Sequence, residues 1–397
     1  MRVYFDNNAT TPVHPEVSEV AKEALDVFGN ASSYHSFGRE ARERVESARA
    51  ILADAIGAEP SEIMFTSGGS ESNNLVLKGL ICGSMTCPNR SGHRVGRHII
   101  TSQIEHPSVY DTCRCLEAEG YLITYLPVDS TGMVNPDDLR KAITSNTSLI
   151  SIMMANNEVG TMQPVKEIAA IAGEHGIPFH SDAVQVVGKL DVSVNDLGID
   201  FLSLSGHKIN APKGIGALYM RKTLSVCPLI HGGPQEMSRR AGTENNVGII
   251  ALGKAIDVMG HDRGTLIPEI ERLRDRLETG LLEKVPDIRV NGHREKRLPG
   301  TTNISFKYVE GESILLSLDA EGIAVSTGSA CSSGSLEPSH VLLAMGMSHE
   351  DAHGSIRFSL GYGNTDPDVD YALEHIPPVI QRLRDMSPLY HAGKQAE

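Results

Sequence analysis

Short apolar runs alternate with amphipathic stretches through the first two-thirds of this chain. The runs at 62–66, 98–101, 121–126, 148–154, 177–180, 200–204 and 216–220 have the length and apolar character of buried strands. Between them, helical spacing predicts helices from about 70 to 80, 107 to 119, 135 to 144 and 164 to 175. Upstream, Val17, Val20, Ala21, Ala24 and Leu25 predict a helix over 15–28, and an amphipathic helix follows over 39–55. Strand–helix alternation at this spacing predicts an α/β fold with a mostly parallel sheet covered by helices on both faces.

Past residue 245 the pattern changes. A long helical region over 246–285 carries Glu271 and Asp275 against Arg272, Arg274 and Arg276. Strands at 287–291, 301–308, 323–325 and 355–359 follow, mixed with helices at 311–320, 338–345 and 366–385. This reads as a smaller α+β domain built from 261–397 with the arm 1–14, beside a large domain over 15–260. A Gly/Ser-rich loop fills 326–335.

The polar residues fall where the predicted strands end, and in open α/β sheets those carboxyl ends bind ligands. Lys208 follows the strand 200–204 within Ser205-Gly-His-Lys, ahead of Pro212, Gly214 and Gly216. An amine held there, out of bulk water, loses its proton more readily and can condense with an aldehyde. Read alone, Lys208 is better explained as a surface lysine in a turn, and only its company elsewhere in the chain overturns that. Ser67-Gly-Gly-Ser70 lies between a strand and a helix, so Gly69 and Ser70 can cradle a phosphate or simply cap the helix. It is not a Walker loop, since no Gly-Lys-Ser/Thr follows. Asp182 and Gln185 follow another strand; Asp182 can hold a protonated ring nitrogen or cap a helix. His106 precedes Pro107 at a helix start and can stack on a ring or move protons. Ser205 and His207 offer further phosphate donors. Arg357, among apolar neighbours in Ser355-Ile-Arg-Phe-Ser359, needs an anion: a carboxylate ligand or a structural partner.

Cys331 sits in Ser326-Thr-Gly-Ser-Ala-Cys-Ser-Ser-Gly-Ser, a composition that cannot pack a core. A thiol exposed on such a loop is a poor structural choice, because it oxidises, so a nucleophilic or sulfur-carrying role is expected. With an ordinary thiol pKa of about 8.5 it needs a neighbouring base or positive charge. The six cysteines, at 82, 87, 113, 115, 227 and 331, are expected as free thiols, and neither Cys82/Cys87 nor Cys113/Cys115 has zinc spacing.

Composition narrows the classes. Lys plus Arg is 36 against 50 Asp plus Glu, a net charge of −14, which argues against direct nucleic-acid binding. No segment has the apolar run of a signal peptide or of a membrane helix, so a cytoplasmic protein with no membrane contact is expected.

Together these segments resemble the NifS/IscS type of cysteine desulfurases, in the class V aminotransferase family. The resemblance rests on Tyr4-Phe-Asp-Asn-Asn-Ala-Thr-Thr-Pro12, Thr66-Ser-Gly-Gly-Ser-Glu-Ser72, Glu105-His106, Ala155-Asn-Asn-Glu-Val-Gly160 and His180-Ser-Asp-Ala-Val-Gln185. It continues through Ser205-Gly-His-Lys208, Arg239-Arg-Ala-Gly-Thr-Glu244, Gly328-Ser-Ala-Cys-Ser332, Leu336-Glu-Pro338 and Ser355-Ile-Arg-Phe-Ser-Leu360. It implies the aspartate-aminotransferase-like fold, with a seven-stranded sheet, and pyridoxal 5'-phosphate bound to Lys208 as a Schiff base. Asp182 would face the ring nitrogen, His106 the ring face, and Gln185 and Asn157 the ring oxygen and the substrate side. Gly69, Ser70, Ser205 and His207 would hold the phosphate, with Thr243 reaching the neighbouring subunit of a homodimer. Arg357 would bind the carboxylate of L-cysteine. Cys331 would take the sulfur as a persulfide, leave L-alanine, and pass sulfur to an acceptor protein such as an iron–sulfur scaffold or a tRNA-thiolation relay. No metal site is implied, apart from Cys331 as a transient iron–sulfur cluster ligand.

Two departures stand out: Gly29-Asn-Ala31 where the family usually has Gly-Asn-Pro, and a long basic loop over 83–97. The alternatives are a class V aminotransferase, which has no need of Cys331, a selenocysteine lyase, whose cysteine lies in a shorter Gly-His-His-Cys segment, and a non-catalytic sulfur-carrier scaffold.

Overall fold

A computed structural model describes residues 1–82, 96–327 and 338–390. Twelve strands are defined there: β1 (Val3–Tyr4), β2 (Ile63–Thr66), β3 (His98–Ser102), β4 (Leu122–Leu126), β5 (Thr147–Ser151), β6 (Phe179–Asp182), β7 (Phe201–Ser205), β8 (Gly216–Met220), β9 (Ile288–Asn291), β10 (Thr301–Phe306), β11 (Ile323–Ala324) and β12 (Ser355–Ser359). Seven form one sheet in the order β2-β8-β7-β6-β5-β3-β4. β8 runs antiparallel to both neighbours, while the pairs from β7 through to β4 are parallel. Every residue of β2, β3, β7 and β8 is buried. Both faces are therefore covered, and these strands read as apolar runs without alternation.

A second sheet, β12-β10-β9, is antiparallel, and β1 pairs in parallel with β11. The helix Asn246–Lys284 joins the two cores. Its Ile249, Leu252 and Ile256 pack with the large sheet, and its Ile270, Leu273, Leu277 and Leu281 pack with Ile304, Phe306, Ile356 and Phe358.

Several boundaries differ from those predicted. The first helix ends at Ala24, where Leu25 and Phe28 turn out to solvent. The strand expected over 148–154 ends at Ser151; after it the chain bends so that Ala155 bridges Met162, which turns Asn156 inward and carries Asn157 to the cavity described below. β6 lies two residues later than expected, so Asp182 is its last residue and not its successor. Short helices at Val194–Leu197 and His349–His353 are too brief to leave a periodic signal, and 235–238 is a tight turn with positive φ at Glu236, Met237 and Ser238. The expectation of free thiols fails at Cys227, which is disulfide-bonded, whereas Cys82, Cys113 and Cys115 are free. Cys87, and most of the basic loop that holds it, lies outside the described residues.

Candidate active site

The carboxyl ends of β2, β6 and β7 open on one cavity of about 470 Å³. Its walls include Gly69, Ser70, His106, Asn157, Asp182, Gln185, Ser205, His207, Lys208 and Arg357. Ten residues spread over nearly three hundred positions of sequence thus meet at one place.

Close backbone contact shapes the anion end. Gly68 caps the helix Gly69–Leu80 with φ +153° and no side-chain hydrogen bond. A Cβ on Gly216 would stand 2.6 Å from Gly68 Cα, so only glycine lets β8 pass this turn. At Gly69 a Cβ would fall 2.5 Å from Val184 Cγ2, another cavity wall. The first N–H groups of this twelve-residue helix therefore meet the cavity without competition from a capping side chain.

Asp182 is buried, and its carboxylate is fixed from both sides. Asn73 Nδ2 donates to Oδ2 at 2.6 Å and Val184 N donates to Oδ1 at 3.0 Å. Asn73 Nδ2 also donates to Ser108 Oγ at 2.8 Å. Ser108 Oγ lies 2.8 Å from His106 Nδ1, and Ser108 N donates to the same nitrogen at 3.1 Å. Nδ1 is thereby the acceptor, which puts the proton of the neutral ring on Nε2. Burial holds His106 below the ordinary histidine pKa; Asp182 opposes this and the Lys208 charge adds to it. His207, next to the lysine, is pushed down to about 4 by burial and by Lys208 and Lys213, and it pairs with Thr10 Oγ1 at 3.1 Å.

Lys208 projects from a single 3-10 turn after β7. Its Nζ donates to the carbonyls of Asn8 at 2.5 Å and Ala9 at 2.7 Å. Gln185 Nε2 also donates to Asn8 O, at 3.0 Å. Arg357 is buried on β12; Nη2 pairs with Asp6 at 2.7 Å and Nη1 donates to Asn157 O at 3.0 Å, while Nε has no partner among the described residues. An unpartnered, buried guanidinium N–H on a cavity wall suits an incoming carboxylate.

The residues present fit pyridoxal phosphate: an amine, a fixed carboxylate, a neutral imidazole and a helix start share the cavity. One expected residue among those described, Thr243, is exposed and is not among its walls. Cys331 lies outside the described residues. The described chain on either side of it is anchored at the site, because Ser326 pairs with Arg357 on the cavity wall and Ser339 Oγ donates to Glu158 at 2.5 Å, beside Asn157.

Sequence reasoning missed Asp6, Asn8, Asn73 and Ser108. Asn73 had a signal, since it stands four residues after Gly69 on the same helix face. Asp6 and Asn8 lie in a segment that carries the resemblance, but nothing local pointed them at the cavity, because the arm reaches it only through tertiary contacts.

A family model described as aminotransferase class-V matches residues 3–372. The chain belongs to that family. Within it, the chain is similar to cysteine desulfurases. It is 53 % identical over 388 residues to the cysteine desulfurase IscS of Methanosarcina thermophila, covering 98 % of this chain and 94 % of that protein. It is 52 % identical over 387 residues to the IscS of Dictyoglomus turgidum, covering 97 % and 96 %. A solved NifS-like protein superposes with a TM-score of 0.88 at 39 % identity, over 96 % of this chain and 100 % of that one. No helix among the described residues is long and apolar enough to cross a membrane.

Proposed function

We propose that this chain is a pyridoxal-phosphate-dependent cysteine desulfurase that converts L-cysteine to L-alanine and delivers the sulfur through Cys331. The observation that carries this reading is the meeting of Lys208, Asp182, His106 and Arg357 on one cavity. When bound, the cofactor supplies an electron sink for carbanionic chemistry at the substrate's Cα and Cβ. Lys208 would hold the cofactor through its amine and would move protons at the substrate's Cα. Asp182 keeps the ring nitrogen protonated, and Asn73 and Val184 N keep Asp182 in place. His106 would lie on the ring side and Gln185 would address its ring oxygen, as both line the cavity. Gly69, Ser70, Ser205 and His207 take the phosphate. Arg357 and Asn157 take the substrate carboxylate.

Sulfur transfer breaks the substrate's C–S bond and forms an S–S bond at Cys331. The Cys331 thiolate attacks the sulfur, the C–S electron pair stays with the carbon skeleton, and a proton completes alanine. An acceptor protein then collects the sulfur, either an iron–sulfur scaffold or a thiolation relay. The working form is a cytoplasmic homodimer in which Thr243 completes the partner's phosphate site. Its exposure supports this, as do the exposed Leu229, Ile230 and Met237 on the same stretch and the exposed Phe28, Tyr34 and Phe37.

The test is alanine and sulfide release from L-cysteine under reductant, with the visible spectrum recorded alongside. Wild type should be yellow and release both products, and Cys331→Ala should keep its colour and stop turning over. Full activity of Cys331→Ala would move the reading to an aminotransferase-like or lyase chemistry. A colourless protein would point to a sulfur-carrier scaffold.

A further inference from the structure

Lys189 is a charged side chain beside the site with no part in the chemistry above. As a residue it is half-buried, but its amine is enclosed. Gly188 makes this possible. It turns the chain at φ +83°, where a Cβ would stand 2.7 Å from Ile209 Cγ2, and so lets Lys189 fold back on the residue four before it. Lys189 Nζ donates to Gln185 Oε1 at 3.0 Å. The other end of that amide donates from Nε2 to Asn8 O at 3.0 Å.

The two contacts determine which way the amide faces. A lysine ammonium can only donate, so the atom facing it is the amide oxygen. A backbone carbonyl can only accept, so the atom facing Asn8 is the amide nitrogen. Gln185 thus keeps its oxygen turned to Lys189 and one N–H on Asn8 O. Its second N–H is what it can offer the cavity it lines. The amine stands in an unfavourable place, with burial and the charges of Lys208 and Arg357 pulling its pKa down to about 7. It nevertheless keeps an N–H for Oε1 in either protonation state, so the lock holds across neutral pH.

We propose that Lys189 is a positioning residue that locks the Gln185 amide, so that the group facing the ring oxygen of the bound cofactor is always an N–H donor. This rests on the reading of the cavity as a pyridoxal-phosphate site. Without Lys189 the Asn8 carbonyl alone opposes rotation of the amide, the turned-over population grows, and a carbonyl oxygen turned toward an anionic ring oxygen repels it.

The experiment compares wild type, Lys189→Met, Gln185→Ala and the double variant, each loaded with pyridoxal phosphate. The readouts are the pH midpoint of the visible absorption band and the dissociation constant of the cofactor. Loss of one hydrogen bond to a charged group weakens cofactor binding about tenfold and moves the midpoint by about one pH unit. Lys189→Met should show both effects in the wild-type background and neither in the Gln185→Ala background, because it acts through that amide. Equal effects in both backgrounds, or a Lys189→Met protein that titrates like wild type, overturn the proposal alone. A wild type that takes up no pyridoxal phosphate overturns the functional reading, and this proposal with it. Should Lys189→Met fail to fold, Lys189→Ala is read in the same way.

Discussion

Asn73 donates to Asp182 Oδ2 at 2.6 Å and, with the same amide nitrogen, to Ser108 Oγ at 2.8 Å. One helix side chain thus ties the carboxylate of β6 to the serine that holds His106. Asn73→Ala should cost about 1.5–3 kcal/mol, the worth of a hydrogen bond to a charged group. The loss should appear twice, as a lower melting temperature and as weaker retention of pyridoxal phosphate on dialysis. A variant that melts lower but retains cofactor like wild type would show that Asn73 supports the sheet and not the site.

Arg357 keeps its place through Asp6 and the Asn157 carbonyl. Arg357→Ala should raise KM for L-cysteine by at least about thirtyfold, since truncating one member of a buried charge pair costs about 2–5 kcal/mol. The cofactor's visible spectrum should not change. Asp6→Asn keeps a hydrogen-bond acceptor but removes the charge, so its KM should fall between the two. Steady-state kinetics with spectra of the same samples checks both.

From Glu105 and His180 together, stability should fall on both sides of a plateau between about pH 4.5 and 6.5. Burial pushes the Glu105 carboxyl up to about 8 from its ordinary 4.5. The folded state therefore keeps a proton that the unfolded chain releases, and this contribution is full below pH 4.5 and lost as pH rises toward 8. Within that window the slope is about 1.4 kcal/mol per pH unit. His180 behaves oppositely. It lies between Ser151 Oγ and Ser203 Oγ, and burial pulls it down to about 4 from 6.5. Its contribution is full above pH 6.5 and lost as pH falls toward 4. Urea unfolding of Glu105→Gln from pH 5 to 8 should show a slope more positive by up to one proton than wild type. An unchanged slope would mean that Glu105 is ionised in the fold.

Glu236 lies in a turn where Glu236, Met237 and Ser238 all have positive φ, from +45° to +62°. Such backbone persists only where surrounding contacts hold it. Here Glu236 takes both terminal nitrogens of buried Arg49, at 2.8 and 2.9 Å, and Phe65 N at 2.9 Å. Glu236→Ala leaves Arg49 without its buried partner and should destabilise the fold by about 3–5 kcal/mol. Thermal or urea denaturation measures it. A loss under 1 kcal/mol would mean that Glu46, which also bonds Arg49, suffices.

Much of this protein was legible in the chain because its large sheet is buried on both faces. Its strands appear as apolar runs, and the ligand-bearing residues follow them where a parallel sheet must end. Lys208, Ser70 and Gln185 could be picked out for that reason. The segments quoted above carried the family. What the sequence did not disclose depends on separation along the chain. Asp6 meets Arg357 across 351 positions, and Lys208 reaches the Asn8 carbonyl across 200. No periodicity encodes such pairs, because each exists only once the arm has docked on β12 and β7. The orientation of the Gln185 amide, the tautomer of His106 and the strained turn at Glu236 belong to the same class. Local pattern determined which chemistry the chain carries; the tertiary structure decided which groups face one another, since hydrogen bonds and charge pairs act only over a few ångströms.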